Sequence, residues 1–256
     1  MPSIHPMAIV SPRARVGQGV SIGAFSTVYD NVEIGEGTVI ESYCEIGYHT
    51  PRAGGMPLII GANSHIRSYS LFYEGSEFGA KLVTGHRVTV REGTHGGVNL
   101  QIGTLCDIQG TCEIGDYVRF HSNVHIGQLS KIGNFVWIFP YVVLTNDPHP
   151  PSNYQIGTEI GDYAAIATMS MVLPGVKVGS GSLVGAHSLV GKDVAEGMVV
   201  SGSPAKVICE ASKIMLKDGS GRPAYPWTTH FYRGYPEEVV HQWLKDIEDH
   251  ANDKSP

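Results

Sequence analysis

The segment from Ile102 to Leu144 reads IGTLCDIQGTCEIGDYVRFHSNVHIGQLSKIGNFVWIFPYVVL, and it carries a large apolar residue at every sixth position. Outward from this segment the same period continues in both directions. The first phase runs from Val16 to Ile46, the second from Ile60 to Leu144, and the third from Ile160 to Val190. Only Thr84 and Gly96 interrupt the second phase. Three phases indicate two insertions in one long repeat.

A second position, four residues after each large one, is almost always small or β-branched, as at Cys106, Cys112, Val118 and Val124. Neither the period of a long strand nor that of a helix gives this pattern. A short strand and a turn every six residues does, with one large and one small side chain pointing into a narrow prism. Three hexapeptides complete each coil, and we expect Gly and Asn at the corners, where positive φ is tolerated. The sequence therefore predicts an all-β, stacked parallel β-helix.

Composition narrows the classes of function. The 256 residues include 32 Gly, 42% are hydrophobic, 16% are charged and the net charge is −6. An acidic chain without a basic stripe argues against nucleic acid or an anionic membrane as partner. No segment approaches the roughly 20 apolar residues of a membrane span, so we expect a cytoplasmic protein. The four cysteines have no CxxC spacing and are expected to be reduced.

From about residue 8 to 207 the pattern resembles the hexapeptide-repeat superfamily. This resemblance implies a left-handed β-helix, a homotrimer with active sites between subunits, and acyltransferase activity. We therefore predict a β-helix domain over residues 1–207, with insertions at about 47–59 and 145–159. An irregular segment and a helix follow over residues 208–256, where Pro236 to His250 places Val239, Val240, Trp243, Leu244 and Ile247 on one helical face.

Three segments refine the resemblance. Residues 135–152, FVWIFPYVVLTNDPHPPS, are similar to a coil and loop of N-acetyltransferases that act on nucleotide-linked amino sugars. Residues 161–208, ending in SGSPAKVI, resemble the acetyl-CoA-binding end of hexapeptide acetyltransferases, and residues 83–92, VTGHRVTVRE, resemble a coil of a related sugar acetyltransferase branch. The resemblance implies transfer of an acetyl group from acetyl-CoA to the amine of a nucleotide-linked amino sugar, by direct attack on the thioester.

Such a reaction needs a base, because a sugar amine is protonated near neutral pH. We predict a catalytic set in the coils and in the second insertion: His86, His121, Asn146 and Asp147. Asn-Asp-Pro at residues 146–148 can also simply form a turn that leaves the coil. For substrate binding we predict Arg91, Glu92, His125 and His149.

For the acyl donor we predict small residues that let a pantetheine arm approach the wall, followed by the SPAK segment: Ala165, Ala167, Gly185, Ala186, Ser203 and Lys206. A backbone N–H between Ala165 and Ala167 is expected to stabilise the oxyanion. No cysteine is expected to form an acyl-enzyme, because three of the four fall on the small inward position.

Other functions remain open. An O-acetyltransferase acting on a sugar or serine hydroxyl, with His149 or His121 as base, is the first alternative. A non-enzymatic scaffold is the second. A zinc enzyme similar to the hexapeptide-repeat carbonic anhydrases is disfavoured, because His121 and His125 are expected on different faces of the prism and a third ligand is missing. We therefore predict no metal site.

Overall fold

The computed structural model of the protein describes the backbone of residues 1–252 and the side chains of residues 1–245. Short strands recur along nearly the whole chain, and one helix follows them. The strands are β1 Ser3–Ile4, β2 Ile9–Val10, β3 Arg15–Val16, β4 Ser21–Ile22, β5 Thr27–Val28, β6 Val32–Ile34, β7 Val39–Ile40, β8 Glu45–Tyr48, β9 Leu58–Ile60, β10 His65–Ile66, β11 Leu71–Tyr73, β12 Glu77–Phe78, β13 Val83–Thr84, β14 Thr89–Val90, β15 His95–Gly96, β16 Gln101–Ile102, β17 Asp107–Ile108, β18 Glu113–Ile114, β19 Arg119–Phe120, β20 His125–Ile126, β21 Lys131–Ile132, β22 Trp137–Ile138, β23 Val143–Leu144, β24 Glu159–Ile160, β25 Ala165–Ile166, β26 Met171–Val172, β27 Lys177–Val178, β28 Leu183–Val184, β29 Leu189–Val190, β30 Met198–Ser201 and β31 Lys206–Glu210. The helix α1 is Glu237–Asn252, and three-residue 3₁₀ turns begin at Pro51, Ala211 and Trp227.

The strands stack into three parallel sheets that form the faces of a prism. Sheet A begins with β1, β4 and β7 and has 12 strands, sheet B begins with β2, β5 and β8 and has 10, and sheet C begins with β3, β6 and β9 and has nine. Through β29, neighbouring strands of a sheet are three elements apart along the chain, so successive coils lie directly on one another. At the end of sheet A, β30 pairs with β28, and β31 pairs antiparallel with β30. The predicted parallel β-helix fold is confirmed.

In the two-residue strands the second residue points inward and the first points outward. The inward residues are the large members of the repeat, such as Ile108, Ile126 and Leu144 on sheet B, and they are almost fully buried. The small members, such as Cys106 and Val124, are buried beside them. One continuous apolar core therefore runs along the axis of the prism.

The prediction of Gly and Asn at the corners is confirmed in part. Among the described residues, seventeen non-glycine residues have positive φ; three are asparagines, but several are aromatic, including Tyr117 and Phe135. The strain of this backbone conformation is of order 1–2 kcal/mol. Stacking of equivalent corners offsets it, because the Tyr117 and Phe135 rings lie parallel with centroids 5.0 Å apart. The Tyr117 N–H also donates to the Val98 carbonyl one coil earlier.

We name the three edges of the prism by the sheets they join. Both long connections leave from the B/C edge: residues 49–57 follow β8, and residues 145–158 follow β23. In the first connection, Thr50 caps a 3₁₀ turn that ends at Gly54 with φ 61°. Five strand spacings of sheet B, from β8 to β23, separate the two connections, about 24 Å at the usual strand spacing.

The C-terminal segment folds back over sheet A and the C/A edge. Trp227 and Trp243 are buried, with ring centroids 5.4 Å apart, and Trp243 packs edge-on against Phe135. The helix therefore docks on the prism through Trp243 of the predicted face, whereas Val239 and Val240 are half-buried and Leu244 is exposed. The side chain of Ile247, part of that predicted face, and residues 253–256 lie outside the described residues. The division into two domains is a prediction that these observations do not test.

Candidate active site

The middle of sheet B carries a paired histidine and carboxylate. His125 and Asp107 are the outward residues of β20 and β17, which are adjacent strands in register. His125 Nδ1 lies 3.2 Å from Asp107 Oδ2, and Gln109 donates a hydrogen bond to the same carboxylate. Both side chains of the pair are about two-fifths exposed. The repeat thus places an oriented imidazole on an open face.

The hydrogen bond from His125 holds the pKa of the Asp107 carboxyl below its usual value, against the opposing effect of burial. Gln109 adds a second hydrogen bond in the same direction. A carboxylate that accepts from Nδ1–H fixes the imidazole tautomer in which Nε2 has a free lone pair. The pair can therefore take a proton from a nucleophile on sheet B.

Arg91 and Glu92 lie at the B/C edge, beside this pair. Their side chains bond to one another, with Arg91 Nη2 3.1 Å from Glu92 Oε1. Arg52, from the first connection, lies 4.0 Å from the same oxygen. Glu92 is almost fully buried. It therefore neutralises two arginines and fastens the first connection to the prism, whereas we had predicted both Arg91 and Glu92 to bind substrate.

His86 lies at the A/B edge in a cluster that the sequence analysis did not identify. The Glu41 carboxylate accepts from Ser68 Oγ at 2.9 Å and lies 2.9 Å from His65 Nε2 and 3.9 Å from His86 Nδ1. Burial opposes ionisation of Glu41, but the hydrogen bonds from Ser68 and His65 outweigh it and lower the pKa of its carboxyl. His86 itself is about half exposed.

His121 occupies the same edge two coils later. Its ring stacks on Phe139 with centroids 4.7 Å apart, and burial lowers the pKa of the imidazole. The Nε2 atom is buried and has no hydrogen-bond partner among the described residues. His121 is therefore a neutral imidazole facing sheet A, whereas His125 stands on sheet B.

The second connection is organised by Asp147. Its carboxylate accepts from the backbone N–H of His149 at 3.0 Å and from the N–H and hydroxyl of Ser152. The Asn146 carbonyl accepts from the N–H of Ile156. The structure shows Asn-Asp-Pro as a turn that leaves the coil. Both carboxylate oxygens of Asp147 accept hydrogen bonds from residues of the same loop. In this conformation it does not point a free oxygen at a substrate, which corrects the expectation of direct contact. His149 is exposed in the same loop.

The residues predicted for the acyl donor lie in three different places. Ala167, Gly185 and Ala186 share the A/B edge with His86 and His121, on later coils. The turn between β30 and β31 holds Ser203, and Lys206 follows it as the first residue of β31; both are exposed.

Ala165 does not form an open wall. It is 5% exposed because the C-terminal segment covers it, including Tyr225, Trp227 and Phe231. The prediction that a donor lies against this residue is therefore wrong in this arrangement of the C-terminal segment.

Within one chain the predicted histidines, acidic residues and Arg91 thus lie along sheet B and its two edges, with His125 between the edges. Of the predicted donor residues, Ala165, Ser203 and Lys206 lie elsewhere. Asp107, Glu41 and His65 were missed. Asp107 could have been found, because it precedes His125 by 18 residues, the length of one coil. Among the described side chains, those of residues 1–245, no group of three His, Cys, Asp or Glu is arranged to hold a metal ion. No helix within residues 1–252 is both long and apolar enough to cross a bilayer.

Comparison with known proteins agrees with the fold. A model of the bacterial transferase hexapeptide family, described as six repeats, matches residues 3–48. A structure titled as an Arabidopsis UDP-N-acetylglucosamine acyltransferase superposes with a TM-score of 0.69 at 21% identity, covering 81% of this chain and 74% of that one. This likeness shows the fold, a coiled prism of hexapeptide repeats.

The family follows from curated relatives. An acyl-(acyl-carrier-protein)–UDP-N-acetylglucosamine O-acyltransferase of Pseudomonas putida is 31% identical over 94% of this chain and 81% of its own length. The enzyme of the same name from Saccharophagus degradans is 37% identical over 142 residues, which is 49% of its length. The chain belongs to the family of these O-acyltransferases.

This kinship corrects the sequence analysis in two respects. The donor in the relatives' name is an acyl carrier protein, so the prediction of acetyl-CoA as donor is wrong. The relatives are O-acyltransferases, which places them with the first alternative, acylation of a hydroxyl, rather than with acylation of an amine.

Proposed function

We propose that the protein transfers an acyl group from acyl carrier protein to a hydroxyl of a UDP-linked amino sugar. The observation that carries this proposal is the alignment of 94% of the chain with an O-acyltransferase of that specificity. The pair of His125 and Asp107 supplies the base that a hydroxyl acceptor requires.

In the proposed mechanism, His125 Nε2 takes the proton of the sugar hydroxyl as its oxygen attacks the thioester carbonyl carbon. The tetrahedral intermediate collapses, the carbon–sulfur bond breaks, and the thiolate of the carrier protein leaves. The imidazolium then returns its proton to that thiolate. Asp107 stabilises the transient imidazolium and remains ionised throughout.

The surroundings of the pair favour sheet B as the acceptor face. The two connections from the B/C edge bound the stretch of sheet B that contains Asp107 and His125. We propose that the A/B edge, where Ala167, Gly185 and Ala186 lie, takes the arm that carries the thioester, because small residues permit close approach. We retain the homotrimer as part of the proposal, in which a neighbouring copy closes the open face.

The test is a direct assay. Purified protein is incubated with UDP-N-acetylglucosamine and with acyl carrier proteins that carry acyl chains of different length. The masses of the products are measured by mass spectrometry. We expect an acylated nucleotide sugar. Treatment with hydroxylamine should release its acyl group, because the new bond is an ester. Because the nitrogen of UDP-N-acetylglucosamine is already acetylated, UDP-glucosamine is assayed in parallel. A hydroxylamine-stable amide on UDP-glucosamine, with no ester on UDP-N-acetylglucosamine, would overturn the acceptor; no product from any charged carrier would overturn the donor.

The variant His125→Ala should lower kcat by about 10²- to 10⁴-fold, the usual range for a general base. His95→Ala is the matched control, since His95 is also an outward histidine but lies exposed on sheet C. Equal activity of the two variants would remove His125 from the mechanism.

A further inference from the structure

The last strand of sheet A, β31, has one unpaired edge. One side of β31 pairs antiparallel with β30, and among the described residues no strand pairs with the other side. Because the strands of sheet A stack along the axis of the prism, this edge faces outward at the end of the prism. With five residues, β31 is also the longest of the described strands. A long unpaired edge presents a row of backbone N–H and C=O groups with which another strand can pair.

The middle of β31 is apolar and exposed. Val207 and Ile208 are each 61% exposed, although both are β-branched apolar residues. Ile208 also has no partner on β30, because the register shifts opposite it. Charged side chains stand only at the two ends of the strand, where Lys206 and Glu210 are exposed. The strand therefore offers an apolar surface that is flanked by two opposite charges.

The order of residues in β31 is complementary to itself in the antiparallel direction. A second copy of the strand, turned by half a circle about Ile208, brings its Glu210 opposite Lys206 and its Lys206 opposite Glu210. The two Ile208 side chains then meet at the centre. A parallel pair in register would instead set lysine against lysine and glutamate against glutamate. Opposite charges directly across two strands are favourable and like charges are not, so the charges select the antiparallel pair.

The existing partner of Glu210 does not prevent this pairing. Glu210 Oε2 lies 3.7 Å from Lys213 Nζ, and both side chains are more than half exposed. An ion pair that is this long and this exposed contributes little to stability. Glu210 can therefore exchange Lys213 for Lys206 of a second copy at little cost.

We propose that β31 pairs antiparallel with β31 of a second copy of this chain, about a two-fold axis that passes between the two Ile208 residues. Both copies use the same surface, and the pairing occupies the free edge of each. The assembly therefore closes at two units and does not grow. A pair of five-residue strands is a small contact, so two single chains should associate weakly. Two trimers should associate more strongly, because three such pairs form together.

The test is sedimentation velocity of the full chain over a range of concentrations. We expect a species with twice the mass of the basic unit, whether that unit is a single chain or a trimer, and its fraction should rise with concentration. Lys206→Glu and Glu210→Lys should each weaken this doubling at least tenfold, because each places like charges opposite one another at both ends of the pair. Lys217→Glu is the matched control, since Lys217 is exposed, lies outside β31 and undergoes the same change of charge.

Two combinations make the test specific for the antiparallel pair. The double variant that carries both substitutions again has opposite charges across the pair, so it should double as the parent does. A mixture of the two single variants should also associate, although neither does so alone, because one strand then carries two negative charges and the other two positive charges.

A mass that stays at that of the basic unit at every concentration would overturn the proposal. So would a doubling that the two single variants leave unchanged or that the control weakens equally, since the contact would then lie elsewhere. Single variants that lose the doubling but fail to associate when mixed would also overturn it, because the charges would not face one another. Circular dichroism checks that each variant folds, and all the substituted side chains are exposed.

Discussion

Gly96 lies in register with Phe78 on sheet C, and a Cβ atom added to Gly96 would stand 2.6 Å from Phe78 Cδ1. The phenyl ring of Phe78 therefore occupies the space that a side chain at Gly96 would need. Phe72, in the same coil as Phe78, meets it edge-on with centroids 5.6 Å apart. Two large residues in one coil are thus matched by the smaller Thr84 and Gly96 in the next.

Replacing Gly96 by Ala should overpack the core at this coil. We expect a loss of about 1–3 kcal/mol in the free energy of unfolding, measured by urea denaturation. Phe78→Leu combined with Gly96→Ala should recover part of this loss, because the shorter side chain vacates the contested space. Strictly additive effects of the two substitutions would show that Phe78 does not fill the gap.

The six-residue period allowed the fold, the two insertions and the buried residues to be placed from the sequence. Gly96 and Thr84 looked like interruptions because the period compares residues along the chain, whereas the partner that explains Gly96 is one coil away. The same reason hid Asp107, which meets His125 only when the coils stack. Glu41 and His65 are 24 residues apart, because the first connection lies between them. The 18-residue length of one coil therefore does not link these two residues.

Replacing Asp107 by Asn should lower kcat of acyl transfer about 10²-fold or more, since an amide can donate to Nδ1 and so favour the wrong imidazole tautomer. Substrate KM should change little, because Asp107 acts through His125. The measurement is steady-state kinetics with a charged carrier protein. Glu113→Gln provides the control, as Glu113 is an outward carboxylate exposed on sheet C. An unchanged kcat in the Asp107 variant would contradict an orienting role.

The buried thiols should be unreactive and dispensable. Burial raises the pKa of both Cys106 and Cys112 to about 11, and Cys44 is buried as well. We expect a disulfide reagent to modify one thiol per native chain, Cys209, and four after denaturation. Cys106→Ser should retain most of its turnover, in keeping with direct attack on the thioester. A folded but inactive Cys106 variant would instead point to an acyl-enzyme.

Alkaline pH should weaken the packing of the C-terminal segment against the prism. Burial raises the pKa of Tyr235 to about 12, above the usual value of about 10. A raised pKa means that the neutral phenol is favoured in the folded state, so its contribution is complete below about pH 10 and is lost as pH rises through 12.

Tyr235→Phe removes this ionisation together with the hydrogen bond from Trp137. We expect the variant to be about 1 kcal/mol less stable than the parent at pH 7, the usual net value of one hydrogen bond. The gap should close between pH 10 and 12 in urea denaturation followed by tryptophan fluorescence. The pKa of Tyr29 is also raised to about 12. Tyr29 is present in both the parent and the variant, so its effect on stability cancels in the difference between them. A gap that is independent of pH would refute the assignment.

The last two strands of sheet A run in opposite directions, since β31 pairs with β30 antiparallel while the strands before them are parallel. A coil can add to this end only by pairing in the parallel sense, and β31 presents a strand of the wrong polarity. Copies of the chain are thereby prevented from joining end to end through this sheet into a growing fibre. A repeat that could in principle extend without limit thus terminates itself within a single chain.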